Sequence, residues 1–300
     1  MASFRGFRSR AVWDCLRLTG SSPAKAAMTC LRGTSRGWAD AAFTKAKVGD
    51  QYANRFKIHF PNEERSAGRP MRMRPAYNAQ RDLGAVFGLN YGWEHPLYYG
   101  QPVGSEDVTE GFTRQGWWEQ VGVECKMLRE TAGIIDISNF AKYRCAGPGA
   151  EDWLNAVFAN TMPRTVGRSC LTPLIGVRGG IAGDFTVTRM GEGRVLDHRV
   201  GDGDHQRFFK EVPLPEGTTF ESRTEAMCGF NVAGPKSREM LQQMTNASLS
   251  VADFPFMRSM WIELAGVRCL ALRVSFTGDL GWELHCATED QARLFAALIR

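Results

Sequence analysis

The 300-residue sequence has few of the patterns that identify membrane, secreted or zinc-binding proteins. No run approaches the roughly 18 apolar residues of a membrane-spanning helix, so no membrane association is expected. The eight cysteines include no C-x-x-C pair, and the five histidines show no ligand spacing. We therefore expect no metal site, and reduced, partly buried thiols in a cytosolic or matrix protein.

A dinucleotide-binding fingerprint is also missing. Such a site needs GxGxxG between a strand and a helix, because the glycines let the backbone approach the pyrophosphate. Gly147-Pro-Gly149 lacks the third glycine, and Gly201-Asp-Gly203 is an isolated polar loop. The chain is therefore not expected to hold a dinucleotide.

Positive charge is concentrated near the N-terminus. Residues 1–80 carry 15 Lys and Arg against 5 Asp and Glu, whereas the whole chain has a net charge of +5. A nucleic-acid-binding protein carries its basic residues on the folded domain, so no nucleic-acid partner is expected. Residues 1–40 are rich in Arg and almost free of acids, which indicates either an organellar transit peptide or a mispredicted start of the gene.

The region from residue 41 onward is well patterned and divides into two predicted parts. Within residues 41–110, the alternation of Tyr52–Phe60 predicts a strand, and Gln80–Leu83 predicts a short helix. Residues 100–113 are polar and place the domain boundary there. Residues 111–300 form the second predicted domain.

An internal repeat is the best indication of the architecture. Ala146-Gly147-Pro148 and Ala233-Gly234-Pro235 each follow a predicted strand, and Leu154 and Leu241 each come seven residues after the glycine. Proline is tolerated in the first turn of a helix, because its missing N–H would be unpaired there. The repeat predicts an α+β fold of duplicated strand–helix units, with helices packed on antiparallel sheets. Two unrelated helix starts are the alternative.

Two hairpins and a final helix complete the pattern. Leu171–Val177 and Gly179–Arg189 are joined by glycines, and Met260–Leu264 and Val267–Phe276 are joined by Ala-Gly. The amphipathic stretch Glu289–Arg300 predicts a C-terminal helix.

Asp184 is the first candidate site residue. It comes early in a predicted strand, beside Gly180 and Gly183, which would let a flat ligand approach the carboxylate. A carboxylate there can position or deprotonate an amine, or stabilise an iminium. The alternative is a turn residue that binds its own backbone.

Glu283 is the second candidate. It lies between Trp282 and Leu284 on a mostly apolar strand, where a carboxylate is costly unless it is bound. A heterocycle edge with adjacent N–H and NH₂ donors, such as that of a pterin, suits a carboxylate bidentately. The alternative is an exposed glutamate on the solvent side of the strand.

The order of these motifs resembles the folate-binding aminomethyltransferase family. That family includes the glycine-cleavage T protein and the C-terminal halves of dimethylglycine and sarcosine dehydrogenases. The motifs are Gly133-Ile-Ile-Asp136-Ile-Ser138, the two Ala-Gly-Pro turns, Gly179-Gly-Ile-Ala-Gly-Asp184 and Ser275-Phe-Thr-Gly-Asp-Leu-Gly-Trp-Glu283. Residues 52–99 resemble the segment that joins the flavin oxidase part of the dehydrogenases to the folate part, which a stand-alone T protein lacks. The resemblance covers roughly residues 41–300.

The resemblance implies a role for five residues. Asp184 falls on the catalytic carboxylate near the N5/N10 edge of folate, and Glu283 falls on the pterin anchor. Phe276 stands where the family usually has tyrosine, so stacking is kept and the hydroxyl contact is lost. Phe140 falls on an apolar folate contact. Thr186 would add a backbone contact beside Asp184.

The implied cofactor is tetrahydrofolate, and the implied small-molecule partners are folate and a methylamine substrate. In the intact family enzymes, oxidation of an N-methyl amine gives an iminium, and folate captures the one-carbon unit as methylene-tetrahydrofolate. FAD belongs to the full-length family and is not expected to bind this chain. Association with an FAD-containing oxidase part follows from the resemblance. The expected location is the mitochondrial matrix in a eukaryote and the cytoplasm in a bacterium.

Three departures from the family, the first of which is the missing dinucleotide fingerprint, lead us to expect a truncated or degenerate product. The family continues into a small C-terminal β-barrel that this chain does not reach. Gly193–Gln206 is also too polar for the strand expected there. Three interpretations follow: a folate-binding part of an N-methylglycine dehydrogenase-like enzyme, a non-catalytic folate-binding or interaction module, and a glycine-cleavage-type aminomethyltransferase.

Overall fold

The computed structural model describes residues 41–61, 63–90, 92–100, 111–114, 116–176, 179–191, 193–198, 209, 212–275 and 278–300. The two alternatives for residues 1–40 and the loop Gly201-Asp-Gly203 lie outside this part of the chain. The chain separates into two compact units between Met127 and Leu128. The family-domain boundaries expected near residues 40 and 110 stay predictions.

The elements of the first unit follow one another in chain order. They are α1 (Ala41–Ala53), α2 (Tyr77–Asp82), β1 (Ala85–Asn90), β2 (Trp93–Tyr99) and the start of α3 (Trp117–Glu130). Strands β1 and β2 form an antiparallel hairpin. The helix predicted at Gln80–Leu83 is confirmed as α2.

The prediction of a strand at Tyr52–Phe60 is wrong. Helix α1 runs through Ala53, and residues 54–60 form turns and irregular structure. Phe56 is 87% exposed and Ile58 is 76% exposed, so the alternating apolar side chains have no buried face. Alternation produces a stable strand only when one face is covered and the backbone is paired.

An ion pair joins the segment before α2 to the hairpin. The Arg69 guanidinium donates to both carboxylate oxygens of Glu94 on β2, at 3.0 and 2.5 Å. The Trp93 ring has guanidinium groups of Arg72 and Arg74 within 3.6 and 3.7 Å of its centroid. Because Glu94 and Trp93 are buried, these contacts fix residues 69–74 against β2.

Within the described residues, the second unit consists of two five-stranded sheets and their helices. The first sheet has the order β5–β6–β7–β4–β8 and the second has the order β10–β11–β12–β9–β3. The strands are β3 (Gly133–Asp136), β4 (Ala141–Ala146), β5 (Ser169–Ile175), β6 (Ile181–Met190), β7 (Gly193–His198), β8 (Thr219–Ser222), β9 (Met227–Ala233), β10 (Ser259–Leu264), β11 (Val267–Leu272) and β12 (Gly281–Ala287). The helices are α4 (Ala150–Val157), α5 (Ser237–Gln242) and α6 (Gln291–Leu298), with a 3₁₀ turn at Thr288–Asp290.

The predicted duplication is confirmed by the order of the strands in the two sheets. Each repeat runs as strand, Ala-Gly-Pro, helix and three antiparallel strands, and the same pairing order recurs in both sheets. The strand that comes before each repeat pairs in the sheet of the other repeat. Strand β3 precedes β4 along the chain but pairs with β9, and β8 precedes β9 but pairs with β4. The exchange means that the chain crosses from one sheet to the other at the β3–β4 turn.

Each sheet packs its helices on one face. In the first sheet, Phe185 and Val187 of β6 join Trp153 and Leu154 of α4 in one buried cluster. In the second sheet, Phe295 of α6 stacks on Phe230 of β9, with ring centroids 5.6 Å apart. Side chains alternate along a strand, so the residues between these core positions point to the opposite face. That opposite face carries the candidate site residues.

The expectation that Gly193–Gln206 is too polar for a strand is wrong for its first half. Residues Gly193–His198 form β7, which pairs with β6 on one side and β4 on the other. A strand flanked on both sides satisfies its backbone donors and acceptors through two ladders, which outweighs a polar composition.

Candidate functional site

Asp184 and Thr186 lie on the helix-free face of the first sheet. Asp184 is the fourth residue of β6 and is paired with Pro173 of β5, so it lies inside the strand rather than in the preceding turn. Its side chain is exposed, whereas the following Phe185 is fully buried on the other face. Thr186 is half-buried on the same face as Asp184.

Glu283 lies on β12 of the second sheet and is buried, with an exposure of 7%. The alternative of a solvent-exposed glutamate is therefore wrong. Trp282 and Leu284 point to the helix side, so Glu283 and His285 share the opposite face. The Nε2 atom of His285 lies 3.5 Å from Oε2 of Glu283. The strand thus presents a carboxylate and an imidazole next to each other in a buried environment.

Phe140 lies at the β3–β4 turn, where the chain crosses between the sheets, and it is half-buried. A buried hydrogen-bond network holds this turn. Gln291, at the start of α6, donates to Oδ2 of Asp136 at 3.1 Å and to Oγ of Ser138 at 2.9 Å. The other Asp136 oxygen accepts the Ser138 N–H, and the Ser138 hydroxyl oxygen accepts the Gly229 N–H of β9.

Lys142 supports the same turn from β4. Its side chain is almost completely buried, and its ammonium donates to the carbonyl oxygens of Ile137 and Phe140, at 3.2 and 2.9 Å. A buried ammonium is unfavourable unless it is hydrogen-bonded, so these two bonds strongly restrict the turn that carries Phe140.

The faces that carry Asp184 and Glu283 are connected through an apolar cluster. Met190 is on the Asp184 face of β6, because it is separated from Asp184 by an even number of residues. It packs against Leu270, Leu272 and Val274. Leu272 is the direct cross-strand partner of Glu283. The two candidate carboxylates therefore lie on different sheets, on faces that contribute to one apolar cluster.

The remaining predicted site residue, Phe276, lies outside the described residues.

The described cysteines are free thiols. Burial raises the pKa of the Cys269 thiol to about 12, and burial likewise raises the pKa of Cys286. These thiols stay protonated near neutral pH and are poor nucleophiles there. Within the described part of the chain, no group of three or more His, Cys, Asp or Glu side chains is arranged to hold a metal ion.

Three residues of this region were not anticipated from the sequence. His285 could have been found, since it is two positions after Glu283 on a strand and must share its face. Lys142 gives no such signal, because its burial depends on the crossing of the chain between two sheets. Gln291 contacts Asp136 across 155 positions, which no local pattern reveals.

Comparison with known proteins assigns the chain to a family. The family described as the GCVT N-terminal domain matches residues 76–300. The chain belongs to this family. A second family, the FAD dependent oxidoreductase central domain, matches residues 36–73. The resemblance inferred from the motif order is therefore confirmed.

Relatives of this GCVT-family chain include mitochondrial dehydrogenases. It is 31% identical to dimethylglycine dehydrogenase, mitochondrial, of Mus musculus, covering 87% of this chain and 30% of that protein. It is 27% identical to sarcosine dehydrogenase, mitochondrial, of Homo sapiens, covering 83% of this chain and 32% of that protein. The chain thus spans about a third of the length of these curated relatives.

A solved structure shows the same fold. The aminomethyltransferase T of the glycine cleavage system from Bartonella henselae matches with a TM-score of 0.59 at 23% identity, covering 76% of this chain and 57% of that one. The α+β fold predicted from the repeat is confirmed. No helix in the described ranges is both long and apolar enough to cross a membrane.

Proposed function

We propose that this chain is the tetrahydrofolate-binding portion of an N-methylglycine dehydrogenase-like enzyme and that it transfers a one-carbon unit from an iminium to folate. The observation that carries this proposal is the buried Glu283 carboxylate on the helix-free face of the second sheet. A carboxylate on an apolar strand is costly to bury and is kept where a ligand or partner compensates the charge.

The chemistry of a pterin suits Glu283. The ring presents an N–H and an adjacent NH₂ on one edge, which can donate two parallel hydrogen bonds to one carboxylate. We expect the half-buried Phe140 to supply apolar surface for the flat heterocycle. Phe140 is held by the network from Gln291 and Lys142, so this surface is preorganised.

Asp184 is proposed as the proton carrier. Tetrahydrofolate, when bound, supplies the amine nitrogens that accept the one-carbon unit. The exposed Asp184 carboxylate would take a proton from the reacting folate nitrogen and return it to the departing amine nitrogen. Asp184 is paired with Pro173 of β5, so its place on the sheet face is set by the strand backbone.

Asp184→Asn is expected to lower the rate of one-carbon transfer by about 100-fold while changing tetrahydrofolate affinity by less than about 3-fold, because the amide cannot accept the proton. The transfer is measured with the full chain, tetrahydrofolate and the iminium formed from sarcosine and formaldehyde, after subtraction of the uncatalysed rate. Asp152→Asn, an exposed carboxylate on α4, is the matched control. An unchanged transfer rate in Asp184→Asn would exclude the proposed role.

The same measurements separate the alternatives. Tetrahydrofolate binding by the wild-type chain without transfer would favour the non-catalytic module, and absence of binding would overturn the proposal. The match of residues 36–73 to the FAD dependent oxidoreductase central domain supports the dehydrogenase subgroup over a glycine-cleavage-type aminomethyltransferase.

The proposed protein partner is an FAD-containing oxidase part. The segment that matches the oxidoreductase central domain exposes large apolar side chains at Tyr52, Phe56 and Ile58. Exposed apolar groups of this size indicate an interaction surface. The relatives also extend well beyond the region that this chain covers.

Replacing Phe56 and Ile58 together by serine is expected to weaken binding of the FAD-containing part of mouse dimethylglycine dehydrogenase by at least about 10-fold, since apolar anchors dominate interface energies. Analytical ultracentrifugation of the full chain with that purified part gives the affinity. Leu83→Ser, an exposed apolar residue outside the matched segment, should leave it unchanged. Equal effects of the two variants would contradict the assignment of the surface.

The proposed location is the mitochondrial matrix if the source is a eukaryote, and the cytoplasm if it is a bacterium. The names of the mouse and human dehydrogenases above describe those proteins as mitochondrial. Cell fractionation with immunodetection tests this, and detection in a different compartment would refute it.

A further inference from the structure

His285 is the polar side chain that accompanies Glu283 on the helix-free face of β12. Both residues are almost completely buried, at 3% and 7% exposure, and Nε2 lies 3.5 Å from Oε2. Their cross-strand neighbours on β11 are Leu270 and Leu272, which are fully or almost fully buried apolar residues. The imidazole therefore lies beside a carboxylate, with apolar side chains on the β11 side.

The opposite neighbour of His285 makes room for the imidazole. Its cross-strand partner on β9 is Gly229, and a Cβ atom at Gly229 would lie 2.8 Å from Nδ1 of His285. The same Cβ would lie 3.2 Å from Cγ1 of Ile137, at the β3–β4 turn. The glycine thus leaves the space that the ring occupies against β9, close to the turn that carries Phe140.

We infer that His285 is a positioning residue that holds the Glu283 carboxylate in the orientation required to bind the pterin edge. This inference rests on the proposed function. An imidazole with Nε2 3.5 Å from one carboxylate oxygen limits rotation of the Glu283 side chain and, when it is protonated, stabilises the negative charge of the carboxylate. The carboxylate keeps further lone-pair directions for two donors of the ligand.

A purely space-filling role for His285 makes a different prediction. If the ring only filled volume, an apolar side chain of similar size would serve equally well, and any effect of its replacement would add to the effect of changing Glu283. If His285 acts through Glu283, its contribution disappears once the carboxylate is gone, because residues that act together are not additive.

The experiment is a double-mutant cycle on tetrahydrofolate binding by the full chain, measured by calorimetry. Glutamine and methionine are nearly equal in size, but only glutamine offers an N–H donor. His285→Met is expected to lower the affinity by about 10-fold, as for loss of a close electrostatic contact with a charged group, and His285→Gln by less than about 3-fold. In a Glu283→Gln background, His285→Met is expected to cause no further loss.

Two controls separate binding from folding. Cys286→Ala changes the next residue on the helix-facing side of β12 and should leave the affinity unchanged. The fragment 4-aminobenzoylglutamate lacks the pterin, so its affinity should not differ between wild type and His285→Met. If His285→Met does not fold, His285→Leu provides the same comparison with a smaller apolar side chain.

The outcomes distinguish this inference from the proposed function. Additive losses, or equal affinities of the methionine and glutamine variants, would overturn the role of His285 while the pterin anchor stands. No effect of Glu283→Gln, or no binding by the wild type, would overturn both. A loss in His285→Met that is restored in His285→Gln and absent in the Glu283→Gln background supports the inference.

Discussion

Tetrahydrofolate affinity is expected to fall by about 100-fold in Glu283→Gln, which corresponds to about 3 kcal/mol for removal of one charged partner from a buried hydrogen-bonded pair. Glu283 is 7% exposed, and its strand neighbours Trp282 and Leu284 are fully buried on the other face. The amide keeps the size of the side chain but has one acceptor oxygen instead of two. It therefore cannot accept both donors of the pterin edge.

Calorimetric titration of the full chain with tetrahydrofolate measures this effect. Glu263→Gln is the matched control, because Glu263 is an exposed carboxylate on β10 of the same sheet. The control should bind as the wild type does. Glu283→Ala should also remove binding, but it leaves a cavity, so the glutamine variant gives the cleaner comparison. Unchanged binding in both Glu283 variants would show that the pterin anchor is assigned to the wrong residue.

The free energy of unfolding is expected to fall by about 4 kcal/mol in Gly234→Ala, through backbone strain and overpacking together. Gly234 is the central residue of the second Ala-Gly-Pro turn and has a φ of +120°, while Gly147 of the first turn has a φ of +121°. A Cβ atom at Gly234 would lie 2.5 Å from the Thr131 carbonyl oxygen and 2.8 Å from that of Leu128. Both contacts are with backbone, which cannot move aside cheaply.

Gly266→Ala separates strain from overpacking. Gly266 also has a positive φ, +78°, but a Cβ atom there meets nothing within 4 Å. Its replacement should cost only about 1 kcal/mol, the ordinary penalty of a left-handed conformation. Guanidinium unfolding of both variants gives the two values. Similar losses would mean that the close approach of the chain at Gly234 does not contribute to stability.

The duplicated architecture was readable from the Ala-Gly-Pro turns because their requirement is local. Each turn needs a glycine in a backbone conformation that other residues avoid, followed by a proline that lies one residue before the N-cap of a helix. The hairpins β5–β6 and β10–β11 were predicted for the same reason, since short glycine-containing connections join adjacent antiparallel strands. The two candidate carboxylates were likewise identified from residue type and neighbours.

Local patterns failed where the answer depended on burial. Tyr52–Phe60 alternates as a strand does, but no partner strand covers one of its faces within the described residues, and Tyr52, Phe56 and Ile58 remain exposed. Gly193–His198 is polar, yet it forms β7 because a strand on each side pairs with its backbone. Neighbouring strands, rather than composition, decided both cases.

The amino-acid sequence was enough to establish the family, the repeated strand–helix unit and the identity of Asp184 and Glu283 as candidates, because these depend on residue types and short spacings. The tertiary structure alone revealed the exchange of β3 and β8 between the sheets, the burial of Glu283 beside His285, and the hydrogen bonds from Gln291 to Asp136 and Ser138. Most of these contacts join residues that are far apart in the chain. Their energies depend on which groups lose contact with water on folding, and the spacing of residues along the chain does not specify which groups those are.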